Sequence, residues 1–372
     1  VGDGLLKFVG AQLAKATRET DTVARLGGDE FAVIMPNVND LTRVALVAER
    51  LIHDLSQPVT LSGSMVQSGT SIGIGLYPRD GEDMEGLLKT TDQALYEAKH
   101  EGRNGYRFFD EAMNEKSRTE RILENDLRLA IVRDEFLLHY QPQFLATNND
   151  IIGVEALIRW RHPAQGLVMP GDFIEAAEHN GLMCDIGRKV ISAACEQGKA
   201  WEEAGLPPFQ IAANVSPQQF REDEFVPMVK NILDQTGFDP KRLELEITES
   251  VMMENVDQAI EKLNRLRELG ASLSIDDFGT GYSSLAYLKQ FPIQKLKIDQ
   301  SFTQNLTVDP KDAAIAEAVI NLGKCLGVEV LAEGAETKDQ VDVLIDKGCS
   351  RFQGFYFSRP VPAEDFVKLF SS

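Results

Sequence analysis

With 372 residues, 43% hydrophobic and 26% charged, the chain has the composition of an ordinary globular protein and the length for two domains with ample core. A formal net charge of -20 and a pI of about 4.7 exclude a general binder of nucleic-acid polymers, which needs a basic footprint. An anionic ligand stays compatible where metal ions invert the local field. Cys184, Cys195, Cys325 and Cys349 have no metal-like spacing and read as reduced packing residues of a cytoplasmic protein. The five histidines do not cluster, and no apolar run reaches membrane-spanning length. The chain opens at Val1, without Met, and reads as a piece of something longer, either free in the cytoplasm or the cytoplasmic part of a membrane-anchored protein.

In chain order, apolar spacing predicts a helix over 4–17. A strand Thr22–Leu26, the turn Gly27-Gly28-Asp29-Glu30 and a strand Phe31–Met35 follow as a β-hairpin. Helix Leu41–Leu55, a strand-like run Val66–Tyr77, helix Met84–His100 and strand Tyr106–Phe109 complete an α+β domain, 1–110, with a largely antiparallel sheet. Residues 111–133 form a charged connecting helix with Ile122, Leu127, Leu129 and Ile131 as its apolar stripe. From 134 to 372 about eight strands alternate with helices. The strands are Phe136–Tyr140, Val154–Ile158, Ile211–Val215, Leu243–Ile247, Leu273–Ile275, Lys295–Ile298, Glu329–Leu331 and Arg351–Gln353. That rhythm fits a (β/α)8 TIM-like barrel of the α/β class; an open doubly wound sheet is the alternative, but no GxGxxG supports it.

A barrel demands chemistry at the C-terminal ends of its strands. Glu155, Asn214, Glu246, Asp276 with Asp277, Lys297 with Asp299, Glu333 and Gln353 stand at or near those ends. Adjacent side chains on a strand point to opposite sides, so Asp276 and Asp277 converge only where the chain turns. One such acid alone reads as a helix cap. A set of them repels and takes up protons unless cations hold it. Oxygen ligation suits Mg²⁺ or Mn²⁺, and two such ions about 4 Å apart suit in-line phosphodiester hydrolysis.

From about residue 118 onward the chain resembles an EAL domain, the cyclic di-GMP phosphodiesterase family. The resemblance is carried by Tyr140-Gln-Pro142, Glu155-Ala-Leu157, Glu246-Ile-Thr-Glu-Ser250, Asp276-Asp-Phe-Gly-Thr-Gly-Tyr282, Lys297-Ile-Asp299, Ala332-Glu-Gly-Ala-Glu336 and Gln353-Gly354. It implies hydrolysis of one phosphodiester to linear 5′-pGpG, with two Mg²⁺ or Mn²⁺ ions per site. It assigns Glu155, Asn214, Glu246 and Asp276 to the first metal, and Asp276 and Asp277 to the second. Glu333 is either a second-site ligand or the general base. Lys297 contacts the attacking water or the phosphate, and Glu249 anchors the glycine loop after the Asp-Asp strand, a candidate mobile element. Glu336 is a further active-site position, and so is Gln353. Gln141, Leu157, Arg159, Asp299 and Gln353 are implied substrate contacts. A homodimer is the implied assembly.

The turn Arg25-Leu-Gly-Gly-Asp-Glu-Phe31 resembles that of GGDEF domains, the diguanylate cyclases. The resemblance places Gly27, Gly28, Asp29 and Glu30 at a nucleotide site, with Asp29 as metal-binding acid. It adds Asp3 as a guanine contact and Lys99 and Arg103 as triphosphate contacts. Arg18 and Asp21 match a product-binding inhibitory site; a plain surface pair at a helix end is their alternative. The family's Asp-x-Asp-x-Phe-Lys-x-x-Asn-Asp run does not occur within the 372 residues, so no cyclase activity is expected of them as they stand. GTP or cyclic di-GMP at this domain and an upstream sensory domain in the full-length protein are implied partners. The alternatives to an active phosphodiesterase are a catalytically inactive cyclic di-GMP receptor and a diguanylate cyclase in the full-length protein.

Overall fold

The hairpin Thr22–Gly27/Glu30–Ile34 turns at Gly28, whose φ of +50° is the left-handed conformation that glycine adopts without strain. Asp40 and Asp83 cap the helices Leu41–Ser56 and Met84–His100 by accepting from the backbone N–H of Thr42 and Gly86. The strand expected at Val66–Tyr77 divides. Ser64–Val66 pairs antiparallel with Val59–Leu61, whereas Ile72–Ile74 pairs parallel with Tyr106–Phe108. The parallel pairing follows from the helix Met84–His100 between the two strands, the crossover that such a pair needs. In this computed structural model the residues described are 2–38, 40–61, 64–66, 68–280 and 285–370; residues 281–284 of the expected mobile loop lie outside them. The chain divides into two units, Val1–Ile122 and Leu123–Ser372, and the dividing point falls inside the helix Glu111–Arg133.

In that helix the buried face is Leu123, Leu127, Ala130 and Ile131, at helical spacing, against the core of the second unit. Ile122 and Leu129, expected in the stripe, are exposed. The expected stripe mixed two faces: 122 and 129 lie one position off the i, i+4, i+7, i+8 track.

The second unit is a closed eight-stranded barrel: β1 Phe136–Leu145, β2 Asp150–His162, β3 Gln210–Val215, β4 Leu243–Thr248, β5 Ser272–Phe278, β6 Lys295–Ile298, β7 Glu329–Glu333 and β8 Arg351–Gln353. Pairing runs β3 to β8 in order, then β1 and β2, and β2 closes on β3. All neighbours are parallel except β1, which runs antiparallel to both β8 and β2. Four residues, 146–149, join β1 to β2, too few for a crossover, so they form a hairpin.

The strands alternate with polar residues facing the axis and apolar ones facing the outer helices. On β4, Leu243, Leu245 and Ile247 are fully buried, and so are Glu244 and Glu246 between them. On β6, Leu296 and Ile298 alternate with buried Lys295 and Lys297. The helices Met183–Glu203, Phe225–Thr236, Val256–Glu268, Pro310–Leu326 and Lys338–Asp346 supply the outer layer. The apolar core therefore lies mainly between strands and helices, and the axis-facing positions carry charged and amide side chains together with a few small or apolar ones such as Ala212, Ser274 and Leu331. Among the described residues no helix is long and apolar enough to cross a membrane.

Candidate active site at the C-terminal mouth of the barrel

Four strands send a carboxylate to one buried ammonium. Lys297 Nζ lies 2.7 Å from Glu246 Oε2, 2.7 Å from Glu333 Oε1, 3.1 Å from Asp276 Oδ1 and 3.8 Å from Glu155 Oε2. The acids come from β4, β7, β5 and β2 and the lysine from β6, so the cluster spans the barrel axis. Glu155 also accepts from Asn214 Nδ2 at 2.6 Å and from Gln353 Nε2. Gln353 Nε2 donates to Gln141 Oε1 as well, at 3.2 Å, and Gln141 in turn donates to the Ser358 carbonyl.

The convergence of Asp276 and Asp277 has a backbone cause. The β5–β6 register shifts between Ile275 and Phe278, and Asp277 has φ +53°, a left-handed conformation unusual for a residue other than glycine. The irregularity suspends the alternation of β5. Asp277 consequently meets Asp299 at the end of β6 while Asp276 meets Lys297. Asp277 also donates its backbone N–H to Asp276 Oδ1 at 3.0 Å. Just beyond, Gly279 N–H donates to Glu249 Oε2 at 3.1 Å, tying the end of β5 to the segment after β4.

One ammonium against four carboxylates leaves the mouth short of positive charge. Burial, and then the neighbouring Glu155, push the Glu246 carboxyl well above the usual range. Burial raises Glu333 to about 8 against the pull of Lys297. Burial, then Asp276 and Asp299, raise Asp277 to about 6. Glu155 moves the other way: burial opposes its charge, but Lys297 and the amides of Gln353 and Asn214 hold it below the usual range. Burial works against the charge on Lys297 too, yet the surrounding acids hold it protonated.

Glu246 Oε1 is buried without a hydrogen-bond partner, an orphaned carboxyl oxygen that a cation would satisfy. The donors are hard oxygens throughout. With the Asn214 amide nitrogen turned to Glu155, its oxygen is the atom left to ligate. On donor chemistry the residues fit Mg²⁺ or Mn²⁺. In the arrangement described the carboxylates close on the ammonium, and among the described residues no three Asp, Glu, His or Cys side chains are gathered on a metal point.

Other expected residues are placed less centrally. Leu157 and Arg159 follow Glu155 on β2 at period two; Leu157 is half-buried, and buried Arg159 donates to the Ile158 carbonyl at 2.8 Å. Asp299 caps the next short helix by accepting from Ser301 N–H at 2.9 Å. Glu336 is exposed, and its backbone N–H donates to Gln340. In the first unit Asp3, Arg18, Asp29, Glu30, Lys99 and Arg103 are all exposed. Asp21 accepts from the Arg18 backbone N–H at 2.8 Å in a local turn after the first helix, and Arg25 spans the hairpin to the Gly28 carbonyl. A cleft of about 1650 Å³ in this unit is lined by Arg103, Tyr106 and Glu49, but not by residues 27–30.

Sequence reasoning missed Gln143, Lys295 and Glu244. Lys295 Nζ lies 2.6 Å from Glu244 Oε2 and 3.2 Å from Gln143 Oε1, all three being buried. The signal was available. Each stands two residues from a mouth residue on the same strand (Gln141, Lys297, Glu246), and so on the same face.

Residues 124–360 match the family model for the EAL domain, and residues 1–105 that for the diguanylate cyclase, GGDEF domain. The chain is 44% identical over 367 residues to the bifunctional diguanylate cyclase/cyclic di-GMP phosphodiesterase MucR of Pseudomonas aeruginosa, covering 99% of this chain and 53% of MucR. It is 40% identical over 372 residues to the cyclic di-GMP phosphodiesterase NbdA of the same species, covering 99% and 47%. To the cyclic di-GMP phosphodiesterase PdeR of Escherichia coli it is 33% identical over 369 residues, covering 99% and 55%. The chain thus spans about half the length of these curated relatives. The solved PaMucR phosphodiesterase in its c-di-GMP complex superposes with a TM-score of 0.64 at 45% identity, covering 66% of this chain and 99% of that one.

Proposed function

The chain belongs to the EAL family through residues 124–360, with a GGDEF-family domain over residues 1–105, and on that footing we propose that its barrel hydrolyses one phosphodiester of cyclic di-GMP to linear 5′-pGpG. The observation that carries the reading is the set of four carboxylates drawn to Lys297 at the C-terminal mouth. Two Mg²⁺ or Mn²⁺ ions, held by Glu155, Asn214, Glu246, Asp276, Asp277 and Glu333, would supply an acidified water for in-line attack and charge neutralisation at the phosphorus.

The chain's own groups do the rest. Lys297, buried and fixed by its acid partners, places a permanent positive charge where negative charge grows on the phosphoryl oxygens. Glu333, 2.7 Å from Lys297 at the end of β7, would serve as second-site ligand or as the base that takes a proton from the attacking water. Gln353 and Asn214 keep Glu155 an acceptor by donating to it. Arg159, Gln141 and Asp299 border the cluster as contacts for phosphate and guanine. The GGDEF domain acts as a regulatory module that takes GTP or cyclic di-GMP, the helix 111–133 connects it to the barrel, and the working assembly is a homodimer. Incubation with cyclic di-GMP and Mg²⁺ or Mn²⁺, with products resolved, tests the reading: pGpG is expected, and tight binding without it under either metal would replace the hydrolase by a receptor.

A further inference from the structure

Beneath the mouth, a line of buried polar side chains runs down the barrel axis. Lys295 Nζ donates to Gln143 Oε1 at 3.2 Å, Gln143 Nε2 to Gln353 Oε1 at 3.0 Å, and Gln353 Nε2 to Glu155 Oε2. The direction of this line is set by chemistry at both ends. An ammonium has donors only, so the Gln143 atom facing Lys295 must be its oxygen. The Gln143 nitrogen then faces Gln353, which has to answer with its own oxygen. The Gln353 nitrogen is thereby turned to Glu155, and an ionised carboxylate accepts only. Lysine at one end and carboxylate at the other dictate the same orientation for both amides between them.

Two further features hold the line in place. Glu244 Oε2 lies 2.6 Å from Lys295 Nζ and partners that lysine, which is 3% exposed. Gly153 lies opposite Gln143 across the β1–β2 ladder, and a Cβ there would come within 2.8 Å of Gln143 Oε1. The missing side chain leaves room for the glutamine to reach inward. Lys295 and Glu244 also border a cleft of about 410 Å³ with Gln210 and Arg351, at the starts of their strands, and Arg242, just before β4. The line therefore extends from the mouth toward the opposite end of the barrel.

We propose that Gln143, Lys295 and Glu244 are positioning residues that fix the orientation of the Gln353 amide and through it hold Glu155 in place as a metal-ready carboxylate. The proposal rests on the reading of Glu155 as a metal ligand. With the line intact, Gln353 cannot flip without setting oxygen against oxygen at Glu155 and nitrogen against nitrogen at Gln143. With Gln143 removed, the nitrogen-against-nitrogen penalty disappears, and the Gln353 amide is oriented only by Glu155 and by Gln141 Oε1, which it meets at 3.2 Å.

Gln143→Leu, Lys295→Met and Lys295→Arg are to be compared with wild type by three measurements. These are the side-chain amide resonances of Gln353 in metal-free protein, assigned by their loss in Gln353→Glu; the affinity for Mn²⁺ without substrate; and kcat and KM for cyclic di-GMP. Gln143→Leu and Lys295→Met should shift or broaden the Gln353 resonances. They should also weaken Mn²⁺ binding about tenfold or more and lower kcat with KM little changed, whereas Lys295→Arg restores all three toward wild type. Unmoved Gln353 resonances with Mn²⁺ affinity within about twofold of wild type would overturn the proposal. Should Lys295→Met fail to fold for want of a partner for Glu244, the uncharged change Gln143→Leu decides alone. A wild-type protein that binds Mn²⁺ but yields no pGpG would sink the hydrolase reading, and the resonance and metal measurements would still judge this one.

Discussion

Lys297 Nζ lies 2.7 Å from Glu246 Oε2, and the two side chains are 1% and 0% exposed. Removing one partner of such a pair strands the other charge in the interior, at a cost of about 3–5 kcal/mol. Here three more carboxylates lean on the same ammonium, so Lys297→Met should sit at the upper end of that range. Denaturant unfolding near pH 8 checks this. Stability equal to wild type would mean that the ammonium is not what gathers the acids.

Stability of the metal-free protein should fall as pH rises. Folding raises the Glu333 pKa from 4.5 to about 8, so its contribution is full below pH 4.5 and lost as pH climbs through about 8. Asp277, raised from 3.8 to about 6, acts in the same direction over a lower window. Divalent cations bind the deprotonated acids and should flatten or reverse the trend. Thermal midpoints between about pH 5 and 8.5, in chelator and in Mn²⁺, test the point. A metal-free midpoint that rises through this range would contradict the account.

Glu249→Ala should loosen the end of β5. It removes the acceptor of the Gly279 N–H, held at 3.1 Å by a carboxylate that is 2% exposed. Loss of a hydrogen bond to a charged group is worth about 1.5–3 kcal/mol, so exchange of the Gly279 amide should quicken by about tenfold or more. Turnover should fall with it if this end of β5 positions Asp276 and Asp277. Unchanged exchange and unchanged turnover would remove Glu249 from any role in anchoring it.

Gly354→Ala should destabilise the barrel by about 1–3 kcal/mol, the usual cost of overpacking. A Cβ at 354 would come within 2.1 Å of the Ala335 carbonyl oxygen and 2.5 Å of its nitrogen, and backbone cannot swing aside as a flexible side chain can. The change sits beside Gln353, so metal affinity should drop as well. An unaltered thermal midpoint would show that the strand end and the Ala335 segment have room to part.

Most mouth residues were legible because they are polar groups at or near the end of an apolar strand, an arrangement costly without a purpose; Glu155 instead lies inside the longer β2. The direction of β1 was not legible, because periodicity is blind to strand polarity and the strands expected at Phe136–Tyr140 and Val154–Ile158 leave a gap long enough for a crossover; the longer strands of the structure leave only 146–149 between them. Strand alternation alone would have set Asp277 opposite Asp276, and only the register shift and the positive φ explain their convergence. Gln143, Lys295 and Glu244 escaped notice because polar residues were weighed at strand ends, whereas this barrel carries a second polar layer two residues deeper. Glu336 carries the motif's spacing, yet its side chain is exposed.

Glu155→Ala tests the central claim most directly. Glu155 joins Lys297, Asn214 and Gln353 and is the proposed ligand on which the metal site depends. With cyclic di-GMP and saturating Mn²⁺, wild type should release pGpG, while Glu155→Ala should remain folded, bind Mn²⁺ weakly and release none. Wild-type rates of pGpG formation by the variant would contradict the placement of the metal site at this mouth.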